Sequence, residues 1–352
     1  MKRTYKPLAL ITLVFLLLSC ANNPEAQKNP FSIKITNAQK KYETKNELQL
    51  SIGNKKGETI DSVVYYVDAN RISSELSGAN SSISLQNQKL GKRTVTAAIY
   101  SEGNRYNTTI DFVIVSSIVP KLYSYKILET YPHDIKAYTQ GLEFINDTLY
   151  ESTGQYGSSS LRKTNYKTGE VYEQINLEKK YFGEGLTILN KKIYQLTWRE
   201  NIGYIYDLAT FKQTGTFVYG ASREGWGLCN NGSTIFKSDG TEKIWALNSK
   251  TLTEEKFVEI YTNRSKIKSV NELEWVNGKI YANIYEKGSI AIINPDNGAV
   301  EGVINLTALK DKVTQHENLN VMNGIAYNGE ENIIYVTGKN WDKLFKIEII
   351  SN

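Results

Sequence analysis

Histidine, cysteine and methionine are nearly missing from this chain, with two of each in 352 residues. His133 and His316 are too few for a multi-histidine metal site, and no G-x-S-x-G stretch accompanies them to form a hydrolase elbow. Cys20 and Cys229 are the only thiols, so if Cys20 is consumed elsewhere no intrachain disulfide remains and stability must come from a packed core. Nor is there a strong excess of charge. Residues 1–19 hold three positive charges (Lys2, Arg3, Lys6) and no negative one, leaving +2 of the chain's +5 beyond them. A nearly neutral body gives no electrostatic case for nucleic acid. A run able to span a bilayer is missing too. The longest apolar stretch, Leu8 to Leu18, is about eleven residues long, short of the roughly twenty that a bilayer core demands.

That stretch has another use. Basic residues, the apolar run and then Ser19-Cys20 make the three-part layout of an export signal, and Leu17-Leu18-Ser19-Cys20 reads as a lipobox. Residues 1–19 are expected to be a signal peptide, Cys20 the lipidated residue, and residues 20–30 a polar tether. The protein is then exported and lipid-anchored to a bacterial cell envelope, on its periplasmic or outer-membrane face, and acts as a monomer.

From Phe31 the chain alternates apolar and polar residues in short segments: FSIKI at 31, LQLSI at 48, VVYYV at 63, TVTAAIY at 94 and DFVIV at 111, separated by Gly, Asn and Ser. Residues 31–118 are expected to form a small immunoglobulin-like β-sandwich. No cluster of reactive side chains marks it as catalytic, so it reads as a spacer or docking module.

Past Pro120 a different rule takes over. An aromatic residue recurs at the centre of a strand, at Tyr150, Tyr194, Phe236, Tyr281 and Tyr335, with spacings of 44, 42, 45 and 54. A Gly-rich segment precedes each, and a third strand and turn follow. Four-stranded blades need about this many residues, so residues 123–350 are expected to form a five-bladed β-propeller. The fold class is all-β. The last unit reads one strand short, while Tyr123 to Tyr131 precedes the first as a spare, and pairing the two would close the ring and remove its open edges.

In a propeller the segments leading into the innermost strands form the channel mouth. Here they read YTQGL at 138, FGEGLT at 182, EGWGL at 224, NELEW at 271 and LNVMNGIAY at 319. On residue type alone each polar group has two readings. Glu184, flanked by two glycines, serves either as an acid/base group or as a carboxylate binding turn amides. Lys339 is a charge stabiliser or a solvated surface lysine. Gln140 and Asn271 are substrate-binding amides or loop caps. Phe182, Trp198, Trp226, Tyr138 and Tyr285 are cavity wall or ordinary core. Asn146-Asp147 and Asp296-Asn297 carry oxygens of the kind Ca²⁺ binds, yet they fall at hairpin-like turns and need no ion.

These stretches, with ESTGQYG at 151, SSLR at 159, QLTW at 195 and TGKNWDKLF at 337, resemble in content and order the plant and bacterial glutaminyl-peptide cyclotransferases. The resemblance covers about residues 123–350. It implies conversion of N-terminal glutamine in peptides and proteins to pyroglutamate with release of ammonia, with no metal and no cofactor. By position it implies Glu184 as general acid/base, Lys339 as a functional cation that stabilises the tetrahedral oxygen or pairs with Glu184, Gln140 and Asn271 as channel amides, and Phe182, Trp198 and Trp226 as walls. Tyr138 and Tyr285 stand where the family has other aromatics, which bears on substrate preference. Two rivals remain open: a metal-dependent hydrolase of the lactonase kind, with Glu184, Asn271 and Asp239 as ligands, and a non-enzymatic surface propeller binding peptide or glycan at its channel mouth.

Overall fold

A computed structural model describes residues 29–76 and 80–351. The export signal, most of the tether and Cys20 lie outside the described residues. Apart from one 3-10 helix at Thr307–Lys312, every regular element described is a strand, as the alternation predicts.

The N-terminal strands form two sheets. Phe31–Ile35, Glu47–Asn54 and Ser81–Ser84 make a sheet of three, and a sheet of five follows the order Tyr42–Glu43, Asn104–Val115, Gly91–Ser101, Ser62–Val67, Asn70–Leu76. Period-two burial explains why they pack: Val63, Tyr65 and Val67 are buried while their neighbours are half-exposed. Phe31, Leu48 and Leu50 of one sheet share a core with Val63, Tyr65, Val95 and Ile99 of the other. Tyr261 and Ala299, from much later in the chain, plug the same core. Arg93 pairs with Glu259 at 2.9 Å, and the Lys41 ammonium donates to the Arg264 carbonyl at 2.6 Å. The two parts of the chain are thus in direct contact.

Beyond Pro120 come three four-stranded meanders. They begin with Thr139–Ile145, Gly183–Leu189 and Leu228–Asn230 and each proceeds strand by strand outward. A fourth meander begins with Val270–Val276, and a last group begins with Met322–Ala326. These five leading strands touch in cyclic order, the fifth returning to the first. All five recurrent aromatics lie on the second strand and in the same register, as Tyr150 opposite Glu143 and Tyr194 opposite Thr187 show. The innermost backbones are so close that a Cβ on Gly185 would meet the Gly227 Cα at 2.6 Å, and one on Gly227 would meet the Asn271 carbonyl oxygen at 2.3 Å. Glycine is what lets them converge.

The spare strand behaves as expected at one end. Lys121–Pro132 pairs antiparallel with Lys343–Ser351, so the last group takes its fourth strand from before the first. It does more at the other end, where Lys121 to Tyr123 pairs in parallel with Gly302 to Ile304 and fuses the fourth and last groups into one eight-stranded sheet. Length explains this. The closing strand has 12 residues against its partner's 9, and the overhang covers the outer edge of the preceding meander.

Candidate active site

Four of the five leading strands carry a register shift at their mouth ends. The shifts fall between Thr139 and Gly141, Gly183 and Leu186, Val270 and Leu273, and Met322 and Ile325. Inside those intervals lie Gln140, Glu184, Asn271 and Asn323. A bulge breaks the in-out alternation and re-aims a side chain, which is how a strand otherwise buried on both faces can present a polar group to the axis.

Gln140, Glu184, Asn271, Lys339, Phe182, Trp198, Trp226, Tyr138 and Tyr285 line one cavity of about 240 Å³. Every residue read as catalytic or substrate-binding is brought to that one place. Asn323 Nδ2 donates to Gln140 Oε1 at 3.1 Å and to the Thr139 carbonyl at 3.0 Å, and Gln140 Nε2 donates to Glu184 Oε1 at 2.9 Å. Glu184 Oε2 is left to the cavity, with no hydrogen-bond donor among the described residues. Behind the carboxylate, Ser152 Oγ donates to the Glu184 carbonyl, Gln195 Nε2 donates to Ser152 Oγ at 2.7 Å, and the Tyr206 hydroxyl donates to Gln195 Oε1 at 2.9 Å. This buried chain fixes the backbone from which Glu184 projects. Asn271 is 2 % exposed, and its Oδ1 has no partner.

The wall is a belt of rings. Phe182 contacts Trp198 at 5.5 Å and Tyr138 at 6.1 Å, and Trp226 contacts Tyr285 at 5.6 Å. The Lys339 ammonium sits over the Tyr138 and Tyr285 rings, at 4.8 and 5.3 Å, and forms no salt bridge with Glu184. Ion pairing is one of its two expected roles, and the geometry does not make it. The tyrosine faces hold the cation in place of a carboxylate.

Burial dominates the electrostatics. It pushes the Glu184 carboxyl well above the usual carboxylate range, opposed by Lys339 and reinforced by the charges of Glu224 and Glu200. It also lowers the Lys339 ammonium to about 8, with Glu184 resisting. Burial thus disfavours the charged form of both groups, raising the carboxyl and lowering the ammonium. One of the rival metal ligands is elsewhere engaged: the Asp239 carboxylate accepts from Trp245 Nε1 at 2.8 Å and from Thr241 Oγ1 at 2.6 Å, and it does not line the cavity.

The family model described as glutamine cyclotransferase matches residues 96–349. The chain belongs to the glutamine cyclotransferase family. It is 37 % identical over 228 residues to a glutaminyl-peptide cyclotransferase of Arabidopsis thaliana, covering 64 % of this chain and 71 % of that one. Its fold is similar to the crystal structure of Myxococcus xanthus glutaminyl cyclase, with a TM-score of 0.61 and 30 % identity over 66 % of this chain and 99 % of that one. The family match reaches back to residue 96, within the N-terminal sheet of five, further than the motifs between 123 and 350 extend.

Two residues at or beside the cavity escape a reading of the sequence. Asn323 precedes a glycine at a leading strand, as Gln140 and Glu184 do, and that parallel is the available signal. Glu224 is hidden within EGWGL. Its Oε2 accepts from both cavity tryptophans, Trp198 Nε1 at 2.8 Å and Trp226 Nε1 at 2.9 Å, and its Oε1 accepts from Arg199 Nε at 3.0 Å. Although burial raises its pKa, these donors hold it below the ordinary value, so the carboxylate stays ionised. No periodicity announces such a contact, because its three donors come from two loops.

Proposed function

We propose that the protein is a glutaminyl-peptide cyclotransferase whose proton relay is Glu184, working inside a five-bladed β-propeller. The observation that carries this reading is the convergence of one buried carboxyl, one buried ammonium and two amides on an aromatic-walled cavity. In the reaction the α-amine of an N-terminal glutamine attacks its own side-chain amide carbon. A C–N bond forms, the amine proton passes to Glu184 Oε2, and the carbonyl oxygen takes up negative charge. Lys339 faces that charge. The proton then moves from Glu184 to the amide nitrogen, the old C–N bond breaks, and ammonia leaves. Gln140 holds Oε1 and so leaves Oε2 to the substrate, while the unpartnered Asn271 Oδ1 is an acceptor for a substrate N–H. The ring belt excludes water that would compete with the amine.

The surrounding architecture is read with it. Residues 31–118 form an immunoglobulin-like sandwich, residues 123–350 form the catalytic propeller, residues 1–19 direct export, and Cys20 carries the lipid that ties a monomer to the cell envelope. Peptides and proteins with N-terminal glutamine are the substrates, with no nucleic-acid partner. Incubation with a Gln-initiated peptide tests the reaction: ammonia release and a product lighter by about 17 mass units, undiminished by a chelator, are expected. An unchanged peptide, or inactivation by the chelator reversed by added metal, would overturn it.

A further inference from the structure

We infer that a cationic groove running from the glutamine cavity towards the N-terminal sheets holds the polypeptide that follows the glutamine, and selects substrates that are acidic there. The inference rests on the cyclotransferase reading. Three observations carry it. First, Tyr285 lines both the glutamine cavity and a second, larger cavity of about 560 Å³, so the two adjoin at its ring. Second, the larger cavity has an apolar floor that includes Ile267, Ile284 and Val300, and it is lined by Lys266, Lys268 and Lys287 with no carboxylate. Third, Lys266 also lines a cavity of about 740 Å³ against the N-terminal sheets, whose charged side chains are Lys40, Lys41, Lys92 and a single acid, Asp111.

The charges do not cancel along this path. Lys266 is paired with Glu242 at 2.6 Å and Lys92 with Asp111 at 2.6 Å. Lys40, Lys41, Lys268 and Lys287 have no salt bridge among the described residues, and Lys41 donates its hydrogen bond to a neutral carbonyl. Glu242 also feels the charge of Lys268, yet one such carboxylate set against Lys266, Lys268 and Lys287, with Lys40 and Lys41 beyond, leaves the path positive and suited to an anion. An extended chain whose first residue occupies the glutamine cavity leaves past Tyr285, and acidic side chains on it meet Lys268 and Lys287 first. Because the ammonium groups are exposed, each contact changes binding by roughly 1.5- to 5-fold. The path also gives the N-terminal sheets a role beyond spacing, as the far wall of a substrate track.

The test uses the full chain and peptides that begin Gln-Ala and continue entirely in Glu, Ala or Lys. The Glu peptide should exceed the Lys peptide in kcat/KM by about tenfold at low salt, and the gap should close in roughly 0.5 M NaCl, where screening acts within about 4 Å. Lys268→Ala with Lys287→Ala should remove most of the preference and leave turnover of Gln-Ala amide unchanged. Equal kcat/KM for the three peptides, or a preference untouched by the double variant, overturns the groove. If the lysine variants instead lose binding to phosphatidylserine vesicles with unchanged peptide kinetics, the path faces a membrane and the inference is wrong. Failure of the wild type to cyclise Gln-Ala amide would sink the cyclotransferase reading alone, since the groove is then judged by direct binding of the Glu peptide against the Lys peptide.

Discussion

Glu184 and Lys339 are each nearly sealed from water, and neither is paired with the other, so each is predicted to fail in its own way. Glu184→Gln keeps size and the contact with Gln140 but cannot accept and return a proton, so kcat should fall by about 10² to 10⁴ with peptide binding retained. A variant keeping more than about a tenth of wild-type kcat would remove Glu184 from the relay. Lys339→Ala should cost roughly 10² to 10³, in the range of one lost oxyanion donor. It should also alter the pH profile. With the wild type, kcat/KM rises as the substrate's α-amine, which ordinarily titrates at about 8, loses its proton, and falls as Lys339 loses its own at about 8. The alanine variant should keep the rise and lose the fall. Glu224→Gln offers one acceptor oxygen, which can still take both indoles, but it turns an NH₂ towards the guanidinium, so Arg199, which also stacks on the Trp198 ring at 3.6 Å, should come loose and leave that ring less firmly held. KM should rise by roughly ten-fold, kcat much less, and tryptophan emission should shift, whereas an unchanged KM would make the bridge ornamental. Removing its charge should also lower the Glu184 pKa, since Glu224 helps to raise it. At this scale Tyr138, Gln140, Phe182, Glu184, Trp226 and Asn271 were legible at the entries to the leading strands, whereas Trp198, Tyr285 and Lys339, just past the ends of second strands, were reached through the family resemblance. The tyrosine cradle under Lys339 and the double indole bridge were not legible, because Tyr138 lies 201 positions from Lys339 and Trp198 lies 26 from Glu224, separations that no local pattern encodes.

The closing strand is where element-level reading was both right and incomplete. Its pairing with Lys343–Ser351 followed from counting strands, but its parallel contact with Val300–Asn305 depended on an overhang that a count does not measure. Nor did the sequence assign His133, placed in a loop, the part it plays just past that strand. Its Nε2 lies 3.1 Å from Glu151 Oε1 and its Nδ1 2.8 Å from the Trp341 carbonyl oxygen, so one buried ring ties the first meander to the last group. Burial alone would lower the His133 pKa, but the Glu151 carboxylate outweighs it and the net shift is upward. Burial likewise raises Glu151, and His133 and Arg162 outweigh it downward. The histidine's contribution is therefore complete below about 6.5 and is lost as pH rises through its raised folded-state value, while that of Glu151 is present above about 4.5 and is lost as pH falls through its lowered one. His133→Ala should accordingly destabilise by about 3 kcal/mol near pH 5.5 and by clearly less near pH 9, measured by urea unfolding at both. A penalty equal at the two pH values would mean that the ring contributes packing alone.

At the scale of the whole molecule, the sharpest question is what the N-terminal sheets do for the rest. All nine cavity residues and the closing strand lie beyond residue 120, so deleting residues 29–117 should leave a folded enzyme that cyclises Gln-Ala amide within about two-fold of wild type. The cut is not silent, however. It uncovers Tyr261 and Ala299 and strips Glu259 of Arg93, whose side chains are only 12 % and 10 % exposed in the pair. Newly bared apolar surface and a widowed carboxylate should lower Tm by several degrees and increase association at high concentration. Taking the deletion on through Tyr131 is a different experiment, because it removes the strand that completes the last group and covers the edge of Val300–Asn305. Two sheet edges then open at once, and that chain should aggregate without turning over substrate. The two truncations separate support from construction: the shorter chain should lose stability and the smaller share of the acidic preference that Lys40, Lys41 and Lys92 contribute, while keeping the reaction and the share that Lys268 and Lys287 carry. Loss of Gln-Ala amide turnover in the shorter chain, with its circular dichroism and cooperative melting intact, would show instead that the N-terminal sheets belong to the active site.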